Sequence, residues 1–391
     1  MAYRKFKADL LFNGTDLLKN SVLVTDNTGK VISVINAEDA GDEVQVLNGI
    51  LSPGFINAHC HLELSHLKNK IPERTGLIEF VYKVVTERHF PNEAILCAME
   101  IAQNEMIKNG IVAVGDICNN ILSSSLKCNA EIQYYNFIEA SGWHPHVAAE
   151  RFESSRVIYE KYLEKKHNVS IVPHAPYSVS ESLWEKITPY FAGKIVTIHN
   201  QETIFEDEFF LNGSGELAKM YEMMKIDNAF YKSPGTRSIP SYFEKLSSAS
   251  SVILVHNTFI KQDDIHFINN AKSSKQRVSF CLCPNANMYI ENALPPVDLL
   301  MQNNVNIILG TDSLASNRQL SIMEEIKTIA KKFTSIKTET LLKWATLNGA
   351  HALEMNDKLG SFEPGKKPGI VLIENVEGGL INENTTAKRL L

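Results

Sequence analysis

The sequence has no long apolar run, no cluster of basic residues and no low-complexity segment, and each absence excludes a class of protein. No stretch reaches the roughly 20 apolar residues that a membrane-spanning helix needs. The 39 Lys and Arg are spread along the chain. They are outnumbered by 45 Asp and Glu, which gives a formal net charge of -6. Such a chain has no general attraction to nucleic-acid phosphates or anionic lipid. We therefore expect neither a nucleic-acid partner nor a membrane partner.

Cysteine is also sparse and follows no disulfide pattern. The six cysteines are Cys60, Cys97, Cys118, Cys128, Cys281 and Cys283. The N-terminal stretch MAYRKFKADLLF lacks the apolar core and small-residue cleavage site of a secretory signal. In a chain of this size without such a signal, scattered cysteines indicate reduced thiols and a cytoplasmic location.

Eight short β-type runs alternate with longer helical segments in the middle of the chain. They end near His59, Asp116, Glu139, His174, His199, His256, Pro284 and Asp312. The preceding residues are apolar and largely β-branched, as in VSIVP, KIVTI and VNIIL, which is typical of buried parallel strands. Eight β-then-α units in a chain of 391 residues predict an α/β fold, a (β/α)8 TIM-type barrel with room for an accessory module.

Both ends of the chain contain further β-type runs. LLFNG, SVLVTD and KVISVIN are separated by turn residues near the start, and GIVLIE follows a turn-rich segment near the end. We expect the two ends to form one small β-sandwich. The predicted domains are 1-50 and 357-391 for the two parts of the sandwich and 51-356 for the barrel.

The polar residues of the middle region stand where the runs end, which is where barrel enzymes place their chemistry. His59 and His61 are two positions apart, so their side chains point to the same side of an extended strand. His199 and Asp312 end two other runs, KIVTIH and VNIILGTD. Zinc and iron(II) favour such nitrogen and oxygen donors. The alternatives are a core histidine for His199 and a capping role for Asp312.

Four of these segments resemble known sequence motifs. SPGFINAHCHLE, HAPYSVS, IHNQE and GTDSLASN are similar to the first-, fourth-, fifth- and eighth-strand motifs of the amidohydrolase superfamily. The match is to its branch of aminohydrolases and chlorohydrolases that act on purines and triazines, and it covers nearly the whole chain. Pro368-Gly369 replaces the more usual Ala-Asp of the family in the predicted sandwich, away from the metal motifs.

The resemblance implies a role for each matching residue. His59, His61, His199 and Asp312 become the ligands of one divalent metal ion, Zn2+ or else Fe2+, which activates a water. Glu202, three residues after His199, becomes the proton carrier, and His256 and Asp312 assist at the water. His174 becomes a substrate contact. Binuclear members have a carboxylated lysine at this fourth-strand position, so the histidine favours one ion.

The same resemblance predicts a hydrolase that removes an amino group from an aminopurine nucleoside as ammonia. The segment HCHLELSHLKNKIPERTGLIEFV is similar to that of nucleoside deaminases of the menaquinone pathway, which act on aminodeoxyfutalosine. Glu63 is then a candidate for binding ribose hydroxyls, and Arg74, Arg88 and Arg151 are candidates for binding a distal carboxylate. The alternative for each arginine is an ordinary surface charge.

Other functions remain open at this point. The nearest alternatives are deamination of methylthioadenosine, S-adenosylhomocysteine or adenosine. Hydrolysis of guanine, cytosine, a chloro-triazine or a cyclic amide would use the same kind of site. A non-catalytic binding barrel is a further alternative, although such relatives are expected to lose metal ligands. We expect a small-molecule substrate and a homo-oligomer, most simply a dimer. We assign Cys281 and Cys283 a structural role and treat Asp116 and Glu139 only as candidate contacts.

Overall fold

A computed structural model of the chain describes residues 3-128 and 130-391. It contains four sheets, two of them near the chain termini and two in the middle region. The strands are β1 (Tyr3–Lys7), β2 (Leu10–Phe12), β3 (Leu17–Leu18), β4 (Ser21–Asp26), β5 (Val31–Asn36), β6 (Val44–Val46), β7 (Ile50–Pro53), β8 (Phe55–Cys60), β9 (Ile111–Cys118), β10 (Gln133–Ala140), β11 (Asn168–Pro173), β12 (Ile195–Asn200), β13 (Ser251–His256), β14 (Arg277–Leu282), β15 (Asn306–Leu309), β16 (Ile370–Glu374) and β17 (Thr386–Arg389).

Helices fill most of the intervals between the central strands, as expected for repeated β-then-α units. They are α1 (Leu77–Glu87), α2 (Asn92–Lys108), α3 (Leu122–Cys128), α4 (Ala148–Glu164), α5 (Glu181–Ile187), α6 (Phe205–Asn212), α7 (Glu216–Met223), α8 (Ser238–Tyr242), α9 (Gln262–Ala271), α10 (Pro284–Ile290), α11 (Val297–Gln302), α12 (Ile322–Lys332), α13 (Thr338–Lys343) and α14 (Gly349–Ala352). No helix in the described part of the chain is long and apolar enough to cross a membrane.

The eight predicted central strands are confirmed as β8 to β15. They form two four-stranded parallel sheets in the orders β11-β10-β9-β8 and β12-β13-β14-β15. Every residue of β8, β9, β12 and β13 is buried, which explains why their sequences are nearly continuous apolar runs. All eight strands run in the same direction, so their carboxyl ends share one face of the structure.

The two parallel sheets meet at two seams, β11 against β12 and β15 against β8. His199 N–H donates to the His174 carbonyl at 2.9 Å across the first seam, and Thr311 N–H donates to the His59 carbonyl at 3.0 Å across the second. A single continuous ladder, as a closed barrel predicts, is not detected in the described ranges. At the first seam Pro173 has no N–H to donate. The Ser170 hydroxyl donates a hydrogen bond to the Ile195 carbonyl oxygen at 2.7 Å.

Glycine permits the close approach at the second seam. A Cβ on Gly310 would lie 2.9 Å from Cys281 Sγ and 3.0 Å from His59 N. The absence of a side chain at this position lets β15 approach β8, where Cys60 and Asp312 form an isolated parallel bridge. This contact brings the end of the eighth central strand beside the end of the first.

The remaining two sheets are built from the ends of the chain. The first contains only N-terminal strands, and the second contains strands from both ends. One has the order β5-β4-β1-β6 and the other β17-β16-β7-β2-β3. In the second sheet β16 pairs antiparallel with β7, with Ile370 opposite Pro53. An apolar cluster that includes Phe6, Leu23 and Leu372 packs at this β module, and all three side chains are buried.

Candidate metal centre and active-site cavity

Four side chains with metal-binding atoms converge at the carboxyl ends of three central strands. His59 and His61 come from the end of β8, His199 from β12 and Asp312 from the turn after β15, and their ligand atoms lie within 4.8 Å of one another. His61 Nε2 is 3.2 Å from His59 Nε2 and 3.3 Å from His199 Nε2. Asp312 Oδ1 is 3.5 Å from His59 Nε2 and 3.4 Å from His61 Nε2. The fold thus joins residues that are far apart in the sequence.

These separations match the edges of a tetrahedron around one ion, because zinc bonds of about 2.0–2.2 Å place neighbouring ligands about 3.3–3.6 Å apart. His199 Nδ1 faces the His174 carbonyl oxygen at 2.8 Å and donates to it, which leaves the Nε2 lone pair for a metal. Burial lowers the pKa of His61 to about 3 and, together with His174, lowers the pKa of His199 well below its usual range. Both rings are therefore neutral at pH 7, and the donor set fits a divalent ion.

The turn after β15 is held by its own side chains. The Ser316 hydroxyl donates to Asp312 Oδ2, which leaves Oδ1 facing the histidines. Asn57 Nδ2 donates to the Thr311 hydroxyl at 2.7 Å, and the Asn57 side-chain oxygen accepts the Thr311 N–H at 3.0 Å. Asn317 Nδ2 donates to the Thr311 carbonyl at 2.9 Å. These bonds explain why a Gly-Thr-Asp segment followed by Ser and Asn can hold a carboxylate in one orientation.

Glu202 and His256 lie beside the cluster and contact each other. His256 Nε2 is 3.5 Å from Glu202 Oε1, while His256 Nδ1 lies 2.8 Å from the Asn287 side-chain oxygen. Burial and the nearby Asp312 raise the pKa of Glu202 well above its usual range. Burial alone would raise the pKa of Asp312 too, but the hydrogen bond with the His59 ring and the surrounding imidazoles hold it well below its usual range. Two neighbouring carboxyl groups thus have opposite proton affinities.

A cavity of about 520 Å³ opens above the cluster. His61, His199, Glu202 and Asp312 are among the residues that line it. Helix α1 supplies apolar wall residues, and Trp143 and Tyr221 stack on each other at a centroid distance of 5.2 Å. The apolar lining residues include Leu77, Phe80, Val81, Val84, Val147, Ile158, Met220 and Ile226. Much of the wall is therefore suited to a flat or apolar ligand group.

The structure places three of the five predicted substrate contacts on this cavity and two elsewhere. His174, Arg88 and Arg151 line it. Glu63 is buried beneath the first loop, where its Oε2 accepts the Asn119 N–H at 3.0 Å and Asn120 Nδ2 at 2.8 Å. Arg74 lines a separate cavity of about 320 Å³ together with Glu73 and Arg318. Neither Glu63 nor Arg74 belongs to the lining of the cavity above the cluster.

Three further residues line the same cavity: Glu139, which the sequence indicated only as a candidate contact, and Trp143 and Tyr221, which it did not indicate. Glu139 ends β10 and its Oε2 accepts a bond from Asn119 Nδ2 at 3.2 Å, while its Oε1 is buried without a hydrogen-bond partner. Burial raises the pKa of Glu139 to about 7. Glu139, His174 and His199 form a second group of clustered donors, but the Nδ1 atom of His199 already donates to a carbonyl. The sequence indicated that Glu139 could line the cavity only through its position near a strand end. No local sequence pattern indicated that Trp143 or Tyr221 would line it.

The cysteines lie outside the candidate metal centre. Cys281 and Cys283 are free and buried, and both groups of clustered metal-binding side chains are formed without them. Cys60, Cys97, Cys118 and Cys128 are free as well. Asp116, the other residue left as a candidate contact, is buried in an ion pair with Lys127 and does not line the cavity.

An α/β fold whose parallel strands end on three imidazoles and a carboxylate, with a further glutamate beside them, defines a metal-dependent hydrolase. The chain belongs to the amidohydrolase family, whose sequence model matches residues 50–387. The resemblance found in the sequence motifs is thereby confirmed.

Three known proteins illustrate the similarity. The 5-methylthioadenosine/S-adenosylhomocysteine deaminase of Thermoanaerobacter pseudethanolicus is 26% identical over 92% of this chain and 81% of its own length. Helicobacter pylori aminofutalosine deaminase, solved with methylthio-coformycin, superimposes with a TM-score of 0.79 at 20% identity, over 96% of this chain and 93% of that one. A zinc-bound adenosine deaminase of Xanthomonas campestris gives a TM-score of 0.68 at 20% identity, over 95% and 84%.

Proposed function

We propose that this protein is a metal-dependent deaminase that hydrolyses the amino group of adenine nucleosides. The observation that carries the proposal is the position of Glu202, which lines the same cavity as His61, His199 and Asp312 and lies beside His256. A carboxyl group beside a metal site can move a proton between water and a substrate that occupies the cavity. The names of the relatives, which are deaminases of adenosine derivatives, support the same reaction.

His59, His61, His199 and Asp312 would hold one divalent ion, which we propose to be zinc. The zinc bound to the similar adenosine deaminase supports this choice over iron(II). When it is bound in such a site, zinc supplies an acidified water at neutral pH. One ion is favoured over two because the His199 Nδ1 atom, which faces the second group of donors, donates to the His174 carbonyl.

The proposed reaction forms one bond and breaks another. The water oxygen joins the ring carbon that bears the amino group, the bond from this carbon to the amino nitrogen breaks, and ammonia leaves. One proton of the water ends on the adjacent ring nitrogen and the other on the departing amine. Glu202 carries the proton to the ring nitrogen, and His256 and Asp312 orient the water and help to take its proton.

Within this class we propose aminodeoxyfutalosine as the substrate. Besides apolar and aromatic residues, the lining of the cavity includes Arg88 and Arg151, and neither arginine pairs with a carboxylate in the described ranges. A substrate whose ribose bears an aryl group with a carboxylate would fill the walls and supply the missing anion. The structural similarity to aminofutalosine deaminase supports this choice.

A second candidate is a smaller adenosine derivative with a modified 5′ position. The similar deaminases of methylthioadenosine, S-adenosylhomocysteine and 5′-deoxyadenosine support it, and the apolar wall would accept a methylthio group. The sequence also leads us to propose a homodimer and a cytoplasmic location. For the fold, we propose that the two parallel sheets close into a barrel and that the domain limits are 1-50, 51-356 and 357-391.

A panel of ammonia-release assays tests the proposed function. The zinc-loaded protein is given aminodeoxyfutalosine, methylthioadenosine, S-adenosylhomocysteine, adenosine, guanine and cytosine at equal concentrations. We expect ammonia from the adenine nucleosides and the highest kcat/KM with aminodeoxyfutalosine. A higher kcat/KM with methylthioadenosine than with aminodeoxyfutalosine would change the proposed substrate but would leave the proposed reaction, deamination of an adenine nucleoside, in place. Release from guanine or cytosine alone would contradict the class itself.

The two cavity arginines give a prediction for substrate choice. The double variant Arg88→Ala/Arg151→Ala should lower kcat/KM for aminodeoxyfutalosine by about 10- to 100-fold, because a hydrogen bond to a charged group is worth about 1.5–3 kcal/mol. The same variant should change kcat/KM for methylthioadenosine by less than about threefold, since that substrate has no distal anion to lose.

Arg156→Ala provides the matched control for this prediction. Arg156 lies on the same helix as Arg151, α4, but pairs with Glu153 and Glu160 and does not line the cavity. It should leave both substrates unaffected. An equal loss for both substrates in the double variant would show that the arginines support the fold rather than a carboxylate.

A further inference from the structure

A buried ion pair lies directly beneath the His59–His61 segment. Asp116 on β9 pairs through Oδ2 with Lys127 Nζ from α3, and the two side chains are 1% and 0% exposed. In the strand register Asp116 lies opposite Cys60 of β8 and opposite Asn136 of β10. Burying two charges is costly unless each is also hydrogen-bonded, so the remaining contacts of the pair decide what it can do.

The ammonium of Lys127 has no unused hydrogen-bond donor. Besides Asp116, it donates to the Asn136 side-chain oxygen at 2.8 Å and to Cys118 Sγ at 3.1 Å. A lysine ammonium has three donors, and all three are used here. The ring centroids of Tyr134 and Tyr162 lie 5.1 Å and 5.7 Å from Nζ, so the remaining surroundings are aromatic faces. This environment holds Oδ2 of Asp116 in one place.

The other oxygen of Asp116 holds the backbone next to a metal-binding histidine. Asp116 Oδ1 accepts the Leu62 N–H at 2.8 Å. Leu62 directly follows His61 and begins a short 3-10 helix, Leu62–Leu67, whose first N–H groups have no partner within the helix. The Leu62 nitrogen and the His61 carbonyl share one rigid peptide plane, so a bond to this nitrogen restricts the backbone of His61.

We propose that Asp116 is a positioning residue for the metal centre and that Lys127 orients it. The bond from Asp116 to Leu62 fixes the peptide after His61 and thereby the direction of the His61 imidazole. Lys127 presents Asp116 so that one oxygen faces the ammonium and the other faces the Leu62 N–H. This inference rests on the metal site of the proposed function, but it concerns residues that do not touch the ion or the substrate.

Two double variants without charges at these positions separate the effect of the hydrogen bond to Leu62 N–H from the effect of the ion pair. Asp116→Asn/Lys127→Met removes both charges and keeps a side-chain oxygen that can accept the Leu62 N–H. Asp116→Leu/Lys127→Met removes both charges and the acceptor. We expect the Leu/Met variant to bind zinc about 10- to 100-fold more weakly than the Asn/Met variant, the usual effect of losing a group that orients a metal ligand.

The single variant Asp116→Asn keeps the proposal testable if the Leu/Met variant does not fold. With Lys127 present, the amide oxygen should turn to the ammonium and its NH2 group should meet the Leu62 N–H, so that two donors face each other. Asp116→Asn should therefore bind zinc about tenfold more weakly than Asp116→Asn/Lys127→Met, although it differs from the wild type by fewer substitutions.

Zinc affinity is measured by competition with a chromophoric chelator, and the cobalt(II) form is compared by visible absorption, which reports ligand geometry. Asp264→Asn is the matched control, because Asp264 is a buried carboxylate paired with Arg237 away from the cluster. It should leave zinc affinity and the cobalt spectrum unchanged. The proposal is overturned if all folded variants bind zinc within about twofold of the wild type and share its cobalt spectrum.

The measurement needs no substrate, so it separates two kinds of failure. A wild type that binds zinc and shows the expected order of affinities, but releases no ammonia, would refute the deaminase proposal and support the positioning role. A wild type that deaminates, with all folded variants equal in zinc affinity, would refute the positioning role alone. A wild type without zinc affinity would overturn both.

Discussion

Glu202→Gln should lower kcat for ammonia release by at least about 100-fold and leave the bound metal in place. Glutamine fills nearly the same volume beside His256 but cannot carry a proton, and general acid–base catalysis contributes about 10²–10⁴ in rate. Glu202 is outside the group of four converging ligand atoms, so its replacement should not change metal content. The measurement is kcat at saturating substrate, together with metal analysis of the same sample.

Glu206→Gln is the control for the loss of a buried carboxyl group. Glu206 lies one turn further along the chain, is fully buried and accepts a bond from the Ser238 hydroxyl, but it does not line the cavity. Its replacement should leave kcat within about threefold of the wild type, as for substitutions that leave the reacting groups in place. If Glu202→Gln retained comparable turnover, another group would have to carry the proton.

His199→Ala should abolish both metal binding and activity. The imidazole contributes one of the four converging ligand atoms, and alanine leaves open space where this nitrogen donor stood, so that the ion loses one of its four protein bonds and its tight hold. We expect less than about one tenth of the wild-type metal content at equal free zinc, since a lost ligand costs more than the 10- to 100-fold effect of losing an outer partner. Metal content after gel filtration and ammonia release check the two parts.

His266→Ala provides the matched histidine control. His266 is exposed on α9 and its ring contacts Gln262, far from the strand ends that carry the cluster. It should retain full metal content and turnover. Retention of metal by His199→Ala would mean that the four side chains do not form the binding site and that the ion is held elsewhere.

The sequence predicted the central strands and the four clustered side chains for related physical reasons. Parallel strands buried on both faces must be apolar along their whole length, so polar residues mark the points where they end. His59, His199 and Asp312 stand at such ends, and strands that run in one direction bring their ends together. Side chains two residues apart on a strand point to the same side, and this was enough to predict that His59 and His61 face the same site.

The substrate contacts were harder to predict, because they depend on the paths of loops. Arg74 adopts a φ of 62° and its backbone N–H donates to the Tyr289 carbonyl, which directs this part of the loop toward a different cavity. Glu63 follows His61 by two residues but points into a turn that is closed by Asn119 and Asn120. No local pattern distinguishes these directions from one that faces the substrate.

Pairs formed between different elements of the fold could not be predicted from the sequence either. Asp116 lies near the end of a buried strand, as the clustered residues do, yet it pairs with a lysine from the following helix instead of lining the cavity. Trp143 and Tyr221 are far apart in the chain and stack only because the loop after β10 and helix α7, which follows β12, meet at the cavity. Long-range packing of this kind leaves no periodic signal in either segment.

Hydrolysis in heavy-oxygen water tests the central claim most directly. The zinc-loaded protein is incubated with aminodeoxyfutalosine and, separately, with methylthioadenosine, and the ammonia and the nucleoside product are both quantified. The account predicts one ammonia per product and one heavy oxygen at the ring carbon that had carried the amino group, with neither formed by the His199→Ala variant. Release of free adenine with the label on the sugar, or product formation without ammonia, would contradict it.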